Sequence, residues 1–250
     1  MSSGGSLLAL LINAFAGPWR YPSTLPSSWT LQHWGSSFSD LLTPLSNTLI
    51  ISICSTAIAL LLVVATLESE QRLGRKASPA QWLLYLPLLV PQLVFLFGII
   101  TLTEFAGWQA NISLVVFGHL LFVLPYVFLS LSEAYRQLDP RWSQVASTLG
   151  ASRLKSFLAV RIPLLLAPCL TALAVGMAIS ISLFLPTQLL GAGRITTITS
   201  EAVALTAGAS RNLISVWALV QLSLPILGFA AALFVPRLVW RNRVGMQETL

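Results

Sequence analysis

Residues 111–131 read NISLVVFGHLLFVLPYVFLSL, and residues 132–163, which follow without a break, read SEAYRQLDPRWSQVASTLGASRLKSFLAVRIP. The first stretch holds no Asp, Glu, Lys or Arg in 21 residues, enough at 1.5 Å per helical residue to cross a hydrocarbon core about 30 Å thick. The second is polar, basic and patterned as two short helices. An uncharged span next to a charged helical pair sets the reading of the rest of the chain.

Four further runs share the character of 111–131. They are Thr43 to Leu67, Gln81 to Thr103, Leu164 to Leu190 and Leu213 to Val239, and charge enters them only at Arg237, near the end of the last. Burying a charge in lipid is costly, and this distribution follows from that cost. Across the chain 56% of residues are hydrophobic and 9% charged, against about 25% charged in soluble domains. The expected fold is therefore all-α and polytopic, a single domain over 1–250 with five full transmembrane helices. A sixth run, Ser6 to Ala16, is too short to span alone and is expected as a short N-terminal apolar segment. Its flank MSSGGS lacks the positive charge of a secretory signal.

A net charge of +6 raises nucleic acid as a partner, and the placement of the basic residues excludes it. Arg72, Arg75, Lys76, Arg136, Arg141, Arg153, Lys155, Arg161, Arg237, Arg241 and Arg243 all fall on one side of the alternating spans, whereas Arg20, Arg194 and Arg211 fall on the other. The positive-inside rule makes the richer side cytoplasmic, with the carboxyl terminus inside. Residues 18–42 then form an outer loop, in which Trp19, Tyr21, Trp29 and Trp34 suit the headgroup layer. His33 in that loop lacks metal-ligand spacing, and Cys54 and Cys169 read as small packing residues.

Pro87, Pro91, Pro125, Pro168, Pro186 and Pro225 lie within the runs and predict kinked or opened helices, since each removes a backbone donor. Such breaks are tolerated beside a water-filled path. Polar side chains inside spans are the first candidates for lining it, which selects Gln92, Ser180, Ser182, Thr187 and Gln188. Helix bridging is the alternative for the hydroxyls among them, and the expected role of His119. Glu201, Thr196 and Thr197 mark a last outer loop suited either to solvent or to a docking protein.

In residues 132–163, Asp139 can cap a helix with Pro140 at its first position. Trp142, Val145, Ala146 and Leu149 recur at i, i+3, i+4 and i+7, and Gly150 ends the helix. Ser152 can cap a second helix whose apolar stripe is Leu154, Phe157, Leu158 and Ile162, ahead of Pro163. An amphipathic pair outside the membrane needs a partner, either lipid headgroups or a groove on another protein.

The segment Gln144-Val145-Ala146-Ser147-Thr148-Leu149-Gly150-Ala151-Ser152, followed by Phe157, Val160, Ile162-Pro163 and Pro168, resembles the EAA motif of binding-protein-dependent ABC-transporter permeases of the MetI-like kind. Gln144 and Val145 depart from the motif's Glu and first Ala. Ala146, Gly150, Ala151, Ser152 and Pro163 match it. The resemblance runs from WRYPSTLPSSWTLQHW (19–34) through LYLPLLVPQLVFLFG (84–98) to SLFLPTQLLGAGRITTITSEAVAL (182–205), and is nearest to the ferric-iron, thiamine and sulfate branch, there to the C-terminal half of fused two-unit permeases.

The resemblance implies an inner-membrane importer subunit with three kinds of protein partner: ABC ATPase subunits, a periplasmic solute-binding protein and a second permease unit. It further implies that residues 132–163 form a cytoplasmic coupling loop, with Gln144, Val145, Ala146, Leu149, Gly150, Ala151, Ser152, Phe157 and Pro163 facing the ATPase. No catalytic residue, metal site or cofactor is expected: there is no Ser-His-Asp arrangement, no His-Glu helix pair and no phosphate-cradling loop. Two rivals are an ion-gradient-driven transporter and a membrane assembly factor or enzyme. The first would place a carboxylate or buried cation in midmembrane, and the second would need convergent titratable groups.

Overall fold

The computed structural model describes residues 3–19, 26–74, 79–139, 141–208 and 210–240. The expectations placed on Arg20, Tyr21, Arg75, Lys76, Pro140, Arg241 and Arg243 lie outside the described residues. Helices account for the architecture, and the one β contact among the described residues is an isolated bridge between Ala16 and Trp29.

In chain order the helices are α1 (Ser3–Phe15), α2 (Gln32–Leu73), α3 (Gln92–Phe105), α4 (Ile112–Gln137), α5 (Arg141–Thr148), α6 (Arg153–Leu164), α7 (Leu166–Ser182), α8 (Leu185–Leu190), α9 (Ile198–Leu205) and α10 (Arg211–Val239). A 3-10 turn, Pro79–Tyr85, and a single α turn, Leu86–Leu89, lead into α3. Among the described residues three helices, α2, α4 and α10, are each long and apolar enough to cross a membrane; two bent pairs bring the number to as many as five.

The five runs expected as full transmembrane helices correspond to three continuous helices and two bent pairs, in line with the kinks expected from their prolines. The run 81–103 breaks at Val90-Pro91 and bends by 111°. Val90 is extended, the conformation that a following proline favours, and Pro91 has no N–H to continue the turn. The run 164–190 bends by 70° where α6 meets α7, and stops again at Leu183, which is extended. The prolines do not act alike. Pro125 and Pro225 sit inside continuous helices, whereas Pro168 and Pro186 occupy the opening turns of α7 and α8, where a missing donor costs little.

α2 corrects an expectation. It begins at Gln32, so residues 32–42, expected as loop, are its first turns, and it extends to Leu73, about 63 Å in all. Gly74, at φ 60°, ends it in the left-handed conformation that glycine adopts without a side-chain clash. α1 has 13 residues and packs on α10, where Asn212 Nδ2 donates to the carbonyls of Asn13 and Ala16 at 2.9 and 2.7 Å.

α2, α4 and α7 form the centre of the bundle. Ala59, Val63 and Leu67 from α2, Val123, Val127, Phe128 and Leu131 from α4, and Ala172 from α7 are buried together. Gly176 lies where the three helices come closest: a Cβ there would meet Thr56 Cγ2 at 2.5 Å, Val127 Cγ2 at 2.9 Å and Val123 Cγ1 at 3.2 Å. At the end of the bundle away from α5 and α6, Thr48 Oγ1 accepts from the Ile198 N–H at 2.9 Å, and Leu41, Ile198 and Trp217 form a small core of α2, α9 and α10. α9 is closed by a reciprocal cap between Thr197 and Ser200.

Candidate functional site

The polar segment after α4 folds as a helix, a glycine turn and a second helix. Asp139 Oδ1 accepts from the Arg141 N–H at 2.8 Å at the start of α5, and Ser152 Oγ accepts from the Lys155 N–H at 3.3 Å at the start of α6. Between them Gly150 has φ 78°, and the Gly150 and Ala151 N–H groups donate to Ser147 and Ala146 carbonyls, each at 3.0 Å. No residue of α5 is buried: Trp142, Val145 and Leu149 are 57%, 55% and 82% exposed. Among the described residues, these three large apolar side chains, Leu149 lying just past the end of the helix, are left without covering partners. Gln144, Gly150 and Ser152 are exposed beside them, Ala146, Ala151 and Pro163 half-buried.

The second apolar stripe does not stay on one face. Phe157–Arg161 form a π turn, which carries one residue more per turn than an α-helix and therefore rotates the side chains that follow. Leu154 and Leu158 point outward with Lys155, whereas Phe157 is half-buried and Arg161 is buried at 9% exposure.

Arg161 meets a cluster that the sequence reading did not single out. Its Nη1 donates to Glu68 Oε2 on α2, and its Nε donates to Ser143 Oγ on α5 at 2.8 Å. Tyr135, fully buried on α4, donates its hydroxyl to the same Glu68 oxygen at 2.5 Å, and Arg72 Nε donates to Glu68 Oε1 at 2.8 Å. Nearby, Arg136 pairs with Glu70 at 3.2 Å and Gln71 donates to the Tyr135 carbonyl at 2.7 Å. A cavity of about 360 Å³ lies beneath the α5–α6 turn, with Glu68, Arg72, Ser147, Ala151, Arg153 and Arg161 among its walls. The available signal was positional: Glu68 is the first carboxylate after an apolar run, and Tyr135 and Arg161 lie just outside the two runs that flank the loop, one after Leu131 and the other before Leu164.

Of the five polar residues selected within the spans, four fall into two places and Gln188 stands apart from both. Gln92 and Ser182 line one cavity of about 520 Å³, which opens at the α3 break and is walled by Pro87, Val90, Tyr126 and Ile179. Ser180 and Thr187 lie outside it, buried on either side of His119, which is 2% exposed. His119 Nδ1 is 2.8 Å from Ser180 Oγ, and Nε2 is 2.9 Å from Thr187 Oγ1. Thr187 Oγ1 also lies 3.2 Å from the Leu183 carbonyl, and with one hydroxyl at hydrogen-bond distance from each ring nitrogen His119 bridges Ser180 and Thr187. Ser55 Oγ, 3.3 Å from Ser180 Oγ, extends the chain to α2. This run of hydrogen bonds ties α2, α4, α7 and α8 together and satisfies a carbonyl freed where α7 stops. Gln188 is exposed on α8.

Around α9 Thr197 is taken up by the helix cap, the Thr196 carbonyl accepts from Asn47 Nδ2 at 2.9 Å, and Glu201 is half-exposed. Among the described residues no group of three or more His, Cys, Asp or Glu has metal-binding geometry.

The glycine turn thus carries an exposed apolar helix face on a bundle with broken spans. The profile of the family described as binding-protein-dependent transport system inner membrane component matches residues 23–240. The chain belongs to this family. Among similar members of the binding-protein-dependent family, the inner membrane ABC transporter permease protein YnjC of Escherichia coli K12 is 41% identical over 204 residues, covering 81% of this chain and 39% of its own length. The putative 2-aminoethylphosphonate transport system permease protein PhnV of Salmonella typhimurium LT2 is 28% identical over 184 residues, 70% of this chain and 66% of its own. The putrescine transport system permease protein PotI of Escherichia coli K12 is 24% identical over 153 residues, 57% of this chain and 54% of its own. The chain thus spans between two fifths and two thirds of the relatives it matches. With the apolar helices, membership makes it a multi-pass membrane protein of an inner-membrane transport family.

Proposed function

We propose that the chain is a permease unit of an ATP-driven importer, paired with a second permease unit, fed from outside by a solute-binding protein and driven by ABC ATPase subunits that grip α5 and α6. The observation that carries the reading is the outward apolar face of α5, Trp142, Val145 and Leu149, held by a capped turn at Gly150 within a family of transport permeases. Such a face is unfavourable in water and matches a groove on a partner. In this role Gln144, Val145, Ala146, Leu149, Gly150, Ala151 and Ser152 meet the ATPase, Phe157 and Pro163 set the exit angle into α7, and the loop and the carboxyl terminus face the cytoplasm.

The solute path follows the opened helix at Val90-Pro91, where Gln92 and Ser182 share a cavity and offer an amide and a hydroxyl to a small polar solute. Ser180 and Thr187, saturated by His119, hold the helices around that path instead of touching solute. The chemistry resides in the ATPase, and the permease transmits motion.

Affinity capture of the chain in mild detergent, co-expressed with an ABC ATPase subunit from the same organism, tests this reading. The ATPase co-purifies with the native chain and is lost with Gly150→Asp, which adds a charge to the docking turn. Solute transport by the chain alone in liposomes would overturn it.

A further inference from the structure

The coupling helix has few holds on the spans that it would have to move. α5 buries no side chain, and its packing runs mainly to α6. The polar hold is one carboxylate. Glu68 receives Arg161 from α6, Tyr135 from α4 and Arg72 from its own helix, and Arg161 reaches on to Ser143 of α5. Four elements therefore meet at Glu68 and Arg161, both largely shielded from solvent. The π turn over Phe157–Arg161 is what aims Arg161 inward, because one added residue turns its side chain away from the outward stripe of Leu154 and Leu158. A buried ion pair is a poor source of net stability, yet it is strongly directional and opposes separation of its partners.

We infer that Glu68, Arg161 and Tyr135 form a strut that transmits displacement of the α5–α6 pair to α2 and α4, acting as positioning residues for transport. The inference rests on the permease reading above. Without the strut the ATPase still finds the apolar face of α5, since none of the three residues belongs to it, but its motion is absorbed by hinging of the loop.

The test uses the full chain co-expressed with its ATPase in a Cys54→Ser, Cys169→Ser background, carrying spin labels at Leu31→Cys and Phe105→Cys. Both positions are exposed, at the ends of α2 and α3 away from the loop. Distances are measured without nucleotide and after trapping with ATP and vanadate. In the native cluster trapping shifts the distance. In Glu68→Gln and Arg161→Gln the ATPase remains bound and hydrolyses ATP, while the shift is lost; Arg161→Lys, which keeps the charge, retains most of it, and Tyr135→Phe retains part. A shift of native size in either Gln variant overturns the inference. Should the Gln variants fail to assemble, Tyr135→Phe decides, and an undiminished shift there overturns it equally. A native chain that never retains the ATPase overturns the permease reading instead, a result separable from any of these.

Discussion

His119 has two faces in the sequence: a titratable group in the middle of an apolar run, open to a proton-carrying role, or a bridge. Its surroundings favour the bridge. Both ring nitrogens are taken by hydroxyls, and the chain of bonds ends on the carbonyl that the α7 break exposes. His119→Leu removes the ring from both buried hydroxyls at once, leaving Ser180 with Ser55 at 3.3 Å and Thr187 with the Leu183 carbonyl at 3.2 Å. Each hydrogen bond lost costs about 0.5–1.5 kcal/mol, so the thermal midpoint of the detergent-solubilised chain should fall. Ser180→Ala combined with His119→Leu should be less damaging than the two separate losses added, because the removed groups shared one bond. A scanning fluorimetry series on the three variants measures both effects.

At the scale of elements, the α5 helix was legible because its code is local. A cap at Asp139, a 3.6-residue stripe and Gly150 each act within a few residues, and the structure has the expected hydrogen bonds and the positive φ. The α6 stripe was misread because a π turn leaves no comparable local mark. The broken spans were half legible: prolines marked where a helix can open, but Pro91 opens one whereas Pro125 and Pro225 do not, and neighbouring helices decide which. The Glu68 cluster was illegible because its members are brought together only by the packing of α2, α4 and α6. Exposure also separates docking from folding. Replacing Trp142, Val145 and Leu149 together by Ser removes the apolar face and almost no burial within the chain. Surface substitutions of this kind shift stability by about 0.5 kcal/mol or less each. The expected outcome is an unchanged thermal midpoint of the isolated chain with loss of ATPase capture; a large fall in the midpoint would mean that the face packs on the chain itself or on lipid.

For the whole molecule the decisive property is sidedness. The ends of α2 and α4 that carry Glu68, Arg72, Arg136 and the α5–α6 pair gather at one end of the bundle, while the start of α2, the end of α3 and the start of α10 lie at the other. The basic residues follow the same division: Arg72, Arg136, Arg141, Arg153, Lys155 and Arg161 at the loop end, Arg194 and Arg211 at the far one. Translocation of Lys- and Arg-rich loops is disfavoured, so the loop end should remain in the cytoplasm. This can be read directly from single cysteines placed in the Cys54→Ser, Cys169→Ser background. Leu149→Cys, on the outward face of α5, should react with a membrane-impermeant maleimide in inverted vesicles and not in intact cells with a permeabilised outer membrane, whereas Leu31→Cys should show the opposite pattern. The reverse result would place α5 where no nucleotide-driven partner can reach it. With the chain expressed without its ATPase, labelling of Leu149→Cys from neither side would bury that face in lipid. Either result removes the ATPase contact from which the importer reading and the strut both follow.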